Sequence, residues 1–315
     1  MPNDFTQDPD ISALWRFESA NFRAATIGGC PDLSMYSTPT SDNATYAEGA
    51  GSVRISTGTA RGLYLPDANL PANFPLKASG STIGSICFRF RIASSDQYRS
   101  IFGKGHLTNY TNGNLYAVLN GSRRFEAKWQ YSITTADTFD TGFLPAINTW
   151  YDVGITFHGP NRTIHIRIRN ESDQSVNNYD RTFSEGRTLY NADTYAFALG
   201  SNYSTRSAIN GWLDEFVVFN RLLTDTEIDQ IAAQIFPGIF SPDNCRSLTR
   251  CEDVPGFIFP CRSVTTCEAL QMPTPSACLS RTTCANLAKT SPDDCRSVTK
   301  CPGAPLTRAG LFLTY

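Results

Sequence analysis

The sequence lacks any excess of positive charge. Charged residues are sparse at 18%, and 27 Lys and Arg against 29 Asp and Glu leave a formal net charge of −2. A nucleic-acid binder carries a basic excess or a basic stripe, so nucleic acid is excluded as an expected partner. Long apolar runs are missing too. No window approaches the roughly 18 consecutive apolar residues of a membrane-crossing helix, so no membrane insertion is expected. The opening stretch, Met1 to Trp15, is polar and acidic, without the positive start and apolar core of a secretory signal. The expectation is an extracellular or particle-surface protein that is a mature product, leaves by another route, or is assembled in a host cell and released by lysis.

Histidine is rare, with only His106, His158 and His165 present. None has a nucleophilic Ser or Cys context, and G-x-S-x-G, H-E-x-x-H and P-loop patterns are all absent. Cysteine is almost missing from the first 240 residues, where Cys30 and Cys87 stand alone, and becomes dense beyond them. The other eight make up about a tenth of the remaining segment, the density of a disulfide scaffold.

What is present there is a tandem repeat. Cys245–Cys251, Cys261–Cys267, Cys278–Cys284 and Cys295–Cys301 are all spaced C-x5-C, and the units begin 16, 17 and 17 residues apart. Each unit has too few large apolar residues for a core of its own, and covalent staples are the natural substitute. Zinc sites favour a C-x(2–4)-C spacing, which the longer gap fits poorly. Pairing within each unit is the simplest connectivity, yet eight cysteines allow about 105 pairings and sequence does not choose among them. The repeats read as a stalk or spacer. The terminal apolar stretch Ala309 to Tyr315 is strand-like and could add to a sheet edge in the same molecule or a neighbour, an expectation of self-association or of a larger surface assembly.

The first 240 residues are rich in sheet formers, contributing to 20 Phe and 13 Tyr overall, with 22 Gly and 18 Pro for turns. Alternation is regular. Ile86, Phe88, Phe90 and Ile92 share one face of a strand and leave Cys87, Arg89 and Arg91 on the other. Ile164, Ile166 and Ile168 oppose His165, Arg167 and Arg169. Val153, Ile155 and Phe157 oppose Asp152, Thr156 and His158, while Phe125, Ala127, Trp129 and Tyr131 fall together. Many short strands of this kind predict an all-β, two-sheet antiparallel jelly-roll sandwich. One helix is predicted near its end, capped by Thr224 with Glu227 three residues on, striped by Ile228, Ile231 and Ile235, and stopped by Pro237 and Gly238. The expected organisation is an extension over 1–9, the sandwich over 10–238, the repeats over 239–304 and a strand-like end over 305–315.

These residues carry a family resemblance. Gly211, Asp214, Glu215, Phe216, Val218, Phe219, Asn220, Leu223, Glu227 and Ile228 resemble the closing motif of the laminin-G-like, concanavalin-A-like jelly rolls, and Trp150 resembles the tryptophan that opens a mid-domain strand there. The resemblance covers roughly residues 10–236 and implies a fold used for glycan binding, adhesion and surface display, with glycoside hydrolysis in some relatives. It also implies calcium in some members, held by loop carbonyls and one or two carboxylates, for which Glu18, Asp67, Asp214 and Glu215 are the candidates.

Glycosidases need two carboxylates about 5–5.5 or 6.5–9.5 Å apart. The related glucanases supply them from one strand as E-x-D-x-x-E, and that motif is absent. Asp214 and Glu215 are adjacent, so on a regular strand they face opposite ways. Glu126 is alone on its strand. The expectation is therefore no enzyme. Arg89, Arg91, His158, His165, Arg167 and Arg169 all leave the apolar face of their strands, and on neighbouring strands they would form a basic plate for an acidic glycan, or else an ordinary solvated face. Tyr110, Tyr131 and Tyr203 are candidates to stack on sugar rings. The predicted function is a non-catalytic display or adhesion knob on a stapled stalk, part of a virion, fibre or filament surface, with a free carbohydrate-binding module and, more distantly, a glycoside hydrolase as alternatives.

Overall fold

A computed structural model of the chain describes residues 3–6, 8–18, 21–27, 29–37, 39–56, 61–105, 113–191, 194–201 and 208–236, and the backbone of 246–250, 262–266, 279–284 and 295–300. The chain divides into two compact units, Met1–Gly238 and Ile239–Tyr315.

In the first unit the strands run β1 (Ile11–Trp15), β2 (Ser34–Tyr36), β3 (Thr40–Asp42), β4 (Ser52–Ile55) and β5 (Gly62–Leu65). Next come β6 (Ile83–Ile92), β7 (Arg99–Gly105), β8 (Gly113–Leu119), β9 (Phe125–Gln130) and β10 (Ala136–Asp140). The series ends with β11 (Trp150–His158), β12 (Thr163–Asn170), β13 (Val176–Thr182), β14 (Phe197–Leu199) and β15 (Gly211–Phe219), followed by helix α1 (Asp225–Ala232). One sheet has the order β13-β12-β11-β6-β15-β4-β3, with β1 also on β15, and the other has β10-β9-β8-β7-β14-β5-β2. All the strand pairings are antiparallel. This is the two-sheet jelly-roll sandwich that the alternation predicts.

The core lies between the sheets because each strand turns its apolar alternates inward. Ile86, Phe88, Phe90 and Ile92 from β6 meet Phe102, Phe125, Ala127 and Trp129 from the facing sheet, all buried. Phe216 stacks on Phe88 at 5.4 Å and meets Phe197 edge-on at 5.8 Å. Such pairs add about 0.5–1.5 kcal/mol each beyond the area they bury.

Helix α1 packs on the outer face of the larger sheet. Thr224 and Glu227 form the predicted capping box: the Glu227 amide donates to the Thr224 hydroxyl, and the Thr224 amide donates to the Glu227 carboxylate at 2.8 Å. Ile228 and Ile231 then join Phe5, Leu14, Cys87, Val217 and Phe219 in a second apolar cluster. Gly154 on β11 makes room for the helix, since a Cβ there would sit 2.5 Å from Ile228 Cγ2. The third residue of the predicted stripe differs. The helix ends at Ala232, Gln234 takes φ of 59°, and Ile235 is left 59% exposed while Phe236 is buried instead. After the left-handed turn at Gln234 it is Phe236, not Ile235, that packs into the second cluster.

Residues near the start of the unit fasten this end. The Asn3 backbone amide donates to Glu48 Oε1 at 2.6 Å, its side-chain nitrogen donates to the Ile231 carbonyl at 2.9 Å, and its side-chain oxygen accepts from the Phe236 amide at 2.9 Å. Phe5 and Phe236 pack with ring centroids 5.3 Å apart.

In the second unit, β16 (Arg246–Arg250) pairs antiparallel with β17 (Arg262–Thr266), and β18 (Leu279–Cys284) pairs antiparallel with β19 (Cys295–Lys300). Of the eight repeat cysteines, Cys284 and Cys295 lie in these strands; Cys245, Cys251, Cys261, Cys267, Cys278 and Cys301 lie outside the described residues, as does the apolar stretch from Ala309.

Candidate functional site

Strands β12, β11 and β6 are neighbours, and their register sets Arg169 opposite Asp152 and Asp152 opposite Arg89. The predicted basic residues thus do share a region of one sheet, but they do not form an open plate. Arg89 is 3% exposed, with Nε 2.7 Å from Asp152, Nη2 3.4 Å from Glu48 and 2.8 Å from the Ala232 carbonyl at the helix end. Arg167 grips Asp229 through Nε and Nη2, both at 2.7 Å, and reaches Asp225 at 3.0 Å. His165 lies between Asp180 at 2.8 Å and Asp225 at 3.0 Å. Arg91 lies over the Trp212 ring at 4.9 Å, Arg169 bonds Gln174, and His158 Nδ1 accepts from the Asn161 amide at 3.0 Å. Helix α1 and strand β13 supply carboxylates that turn much of the layer into internal ion pairs. His158 and His165 alone of the six line a shallow groove, of about 280 Å³, with Asp180 and Arg181.

Behind Arg89 the carboxylates outnumber the cations. Glu48, Asp152, Asp214 and Glu215 are buried, and Arg16 bonds Glu215 at 3.1 Å. Burial pushes the Asp152 carboxyl up to about 7, with Arg89 opposing it. Burial also pushes Asp214 up to about 8 against the amides of Glu48 and Ala47, which donate to it at 3.0 and 2.9 Å. Glu215 is raised well above its ordinary value by the same burial, with Glu48 adding to it.

The four carboxylates considered for calcium lie in different surroundings. Asp67 is bound to Lys104 at 3.0 Å, Asp214 accepts backbone amides, Glu215 faces Arg16, and Glu18 accepts the Ala50 amide at 2.5 Å. Among the described residues no group of three or more His, Cys, Asp or Glu side chains is arranged to hold a metal. Asp67, Asp214 and Glu215 spend their charge on the protein itself, whereas Glu18 Oε1 is buried without a hydrogen-bond partner.

A more open site lies on the outer face of the smaller sheet. A cleft of about 450 Å³ sits over β7, β8 and β9, between the segment before β7 and the turn joining β8 to β9. Inward-facing Phe125, Ala127 and Trp129 leave Glu126 and Lys128 on this outer face, beside Val118 and Ser100. Lys128 Nζ touches Glu126 and donates to Thr138 Oγ1 at 2.7 Å. Asn120 Nδ2 donates to both Glu126 at 3.2 Å and Asp140 at 3.1 Å, and β9–β10 register sets those two acids opposite each other. Arg99 is fixed by Asp96 at 2.9 Å. Tyr98 stands at the rim, 54% exposed with φ of 54°, its hydroxyl against Gly121 where a Cβ would come within 2.4 Å. The Ser100 hydroxyl is buried in the wall and has no hydrogen-bond partner.

None of these cleft residues was singled out from sequence as a ligand contact. Tyr98 had a readable signal, an aromatic in a polar turn, whereas the pairing of Glu126 with Asp140 comes only from strand register. Of the aromatics proposed for sugar stacking, Tyr131 carries Arg187 over its ring at 4.9 Å, while Tyr110 and Tyr203 lie outside the described residues, as does His106.

The family model described as the concanavalin A-like lectin/glucanases superfamily (Laminin_G_3) matches residues 57–229. The chain belongs to this superfamily. The match contains Trp150 and the whole closing motif, so the resemblance drawn from those residues holds. Among curated proteins none matches the chain. Similar solved structures include a mutant Trypanosoma rangeli sialidase displaying trans-sialidase activity, at 14% identity and TM-score 0.45, covering 72% of this chain and 34% of that one. The CBM40 of the Ruminococcus gnavus IT-sialidase is similar at 14% identity and TM-score 0.41, covering 58% of this chain and 96% of that one. The same module bound to alpha2,6 sialyllactose is similar at 10% identity and TM-score 0.40, covering 57% and 95%. The chain thus spans about a third of the sialidase. The superfamily's sandwich here carries its polar cleft on β7–β9 and its buried ion-pair layer on the opposite sheet.

Proposed function

We propose that this member of the superfamily is a non-catalytic glycan-binding protein whose ligand sits in the β7–β9 cleft. The observation that carries the reading is the cleft's composition. An exposed phenol ring at the rim lies beside a carboxylate, an ammonium, an amide and the unpartnered Ser100 hydroxyl. A pyranose offers hydroxyl pairs for such groups and a C–H face for the ring, and Arg99 and Lys128 suit an acidic sugar. Both Glu126 oxygens are already engaged, by Lys128 and Asn120, which favours a positioning role over proton transfer.

Set on the cysteine-rich repeats, the sandwich reads as a knob displayed on an extracellular or particle surface. The family's use of this fold for display supports that, together with the stalk-like repeat.

The test is a glycan array with calcium and with chelator, followed by titration of the best binder against Glu126→Gln and Tyr98→Ala. Loss of a hydrogen bond to a charged group is worth about 1.5–3 kcal/mol, a ten- to hundredfold weaker Kd for Glu126→Gln. Chelator is expected to change nothing. Silence on every glycan, or wild-type affinity in both variants, would overturn the reading, and release of reducing sugar would overturn its non-catalytic part.

A further inference from the structure

Each C-x5-C unit spans a strand: the six residues from Leu279 to Cys284 and the six from Cys295 to Lys300 are extended. Residues six apart along a continuous strand lie ~20 Å apart at strand rise. A disulfide tolerates a Cα separation of roughly 7 Å at most, so a strand cannot be bridged end to end.

The register offers another partner. In the β18–β19 ladder Cys284 lies directly opposite Cys295. Opposed residues of an antiparallel pair are about 4.5 or 5.5 Å apart at Cα, both within disulfide range. The same ladder pairs Leu279 with Lys300, the neighbours in sequence of Cys278 and Cys301. The β16–β17 ladder pairs Arg246 with Thr266 and Arg250 with Arg262, whose neighbours in sequence are Cys245 and Cys267 at one end and Cys251 and Cys261 at the other.

The sequence agrees with this register. A gap of six residues is even, so both cysteines of a unit fall on one face of their strand, with the second and fourth residues between them. Those are Ser280 and Thr282 in one strand and Ser297 and Thr299 in its partner, and the ladder sets Ser280 against Thr299 and Thr282 against Ser297. The first hairpin repeats it, with Ser247 against Thr265 and Thr249 against Ser263. A Cys-Ser-Thr-Cys face read along one strand therefore meets the same face read backwards on the next. Two units make one hairpin.

We propose that the stalk is built of two hairpins, each closed at both ends by cross-strand disulfides: Cys284–Cys295 with Cys278–Cys301, and Cys251–Cys261 with Cys245–Cys267. Closing each bridge removes two protons and two electrons from a pair of thiols. A small disulfide such as glutathione disulfide accepts them and leaves as two thiols.

Trypsin tests this directly, because Arg281, Lys289, Arg296 and Lys300 separate the cysteines of the second hairpin. The full chain is oxidised with glutathione disulfide, its free thiols are alkylated in denaturant, and it is digested without reduction. A linked pair of peptides 282–289 and 290–296 is expected. Linkage of 282–289 to 263–281, which carries Cys267 and Cys278, would place Cys284 on a partner other than Cys295 and overturn the proposal, as would alkylation of all eight repeat cysteines. In the full-length Cys284→Ser chain, Cys295 is expected to become newly alkylated while Cys278 stays protected. The reverse pattern would also overturn the proposal.

Discussion

Replacing Arg89 with methionine tests the buried charge layer most sharply. Methionine keeps most of the apolar stem and removes the guanidinium that meets Asp152 at 2.7 Å, Glu48 at 3.4 Å and Glu171 at 3.7 Å. Glu48 and Asp152 are left buried and Glu171 partly so, and breaking a buried pair from one side costs about 3–5 kcal/mol. For a unit of this size that corresponds to a fall in Tm of roughly 6–20 °C. The loss depends on pH. Asp152 and Asp214 already stand at about 7 and about 8, above the ordinary carboxylate value of 3.8, so the folded state holds protons that the unfolded state releases. Their contribution is fully present below about pH 4 and is lost as pH rises through 7 and 8. Removing Arg89 takes away a cation that opposes this shift, so protonation at pH 5 relieves most of the variant's defect. Urea unfolding followed by tryptophan fluorescence at pH 5 and pH 8 reads the effect, since Trp15, Trp129, Trp150 and Trp212 all precede Gly238. A loss below about 1 kcal/mol at pH 8, or an equal loss at both pH values, would refute the argument that Arg89 neutralises this layer.

Two further outcomes follow from burial and from the repeat. Burial pushes the Cys30 thiol up to about 12 and Cys87 higher still, so neither should react with iodoacetamide in the native chain at pH 8, while both should react in urea; rapid native labelling would contradict their placement. If the repeats carry assembly, light scattering should show oligomers for the full chain and monomers for a chain truncated at Gly238. Equal masses would remove the assembly role.

Local signals in the sequence reached the sandwich because period-two alternation is a property of single strands. Ile86, Phe88, Phe90 and Ile92 could be assigned to the core without knowing what they face, and Thr224 with Glu227 marked a helix start from four residues. What needs a partner could not be read this way. Arg167 is neutralised by Asp225 and Asp229, about sixty residues further along and brought back only when α1 docks. Asp214 and Glu215 were placed on opposite faces by assuming a regular strand. The β15 register slips between Asp214 and Val217, Glu215 takes φ of 43°, and both acids end up buried. A bulge resets the parity on which that reasoning depends. The cleft was missed for a related reason: Glu126 is solitary along β9, and Asp140 joins it only across the ladder.

The clasp formed by Asn3, Phe5, Ile231 and Phe236 has a consequence for how such a sandwich can be used. Backbone enters and leaves the folded unit at nearly one point. A host polypeptide could therefore receive it in a surface loop without stretching either junction, and the unit could be cut elsewhere and rejoined across the clasp with its sheets intact. A sandwich fastened in this way is portable, able to be moved between chains as a single piece.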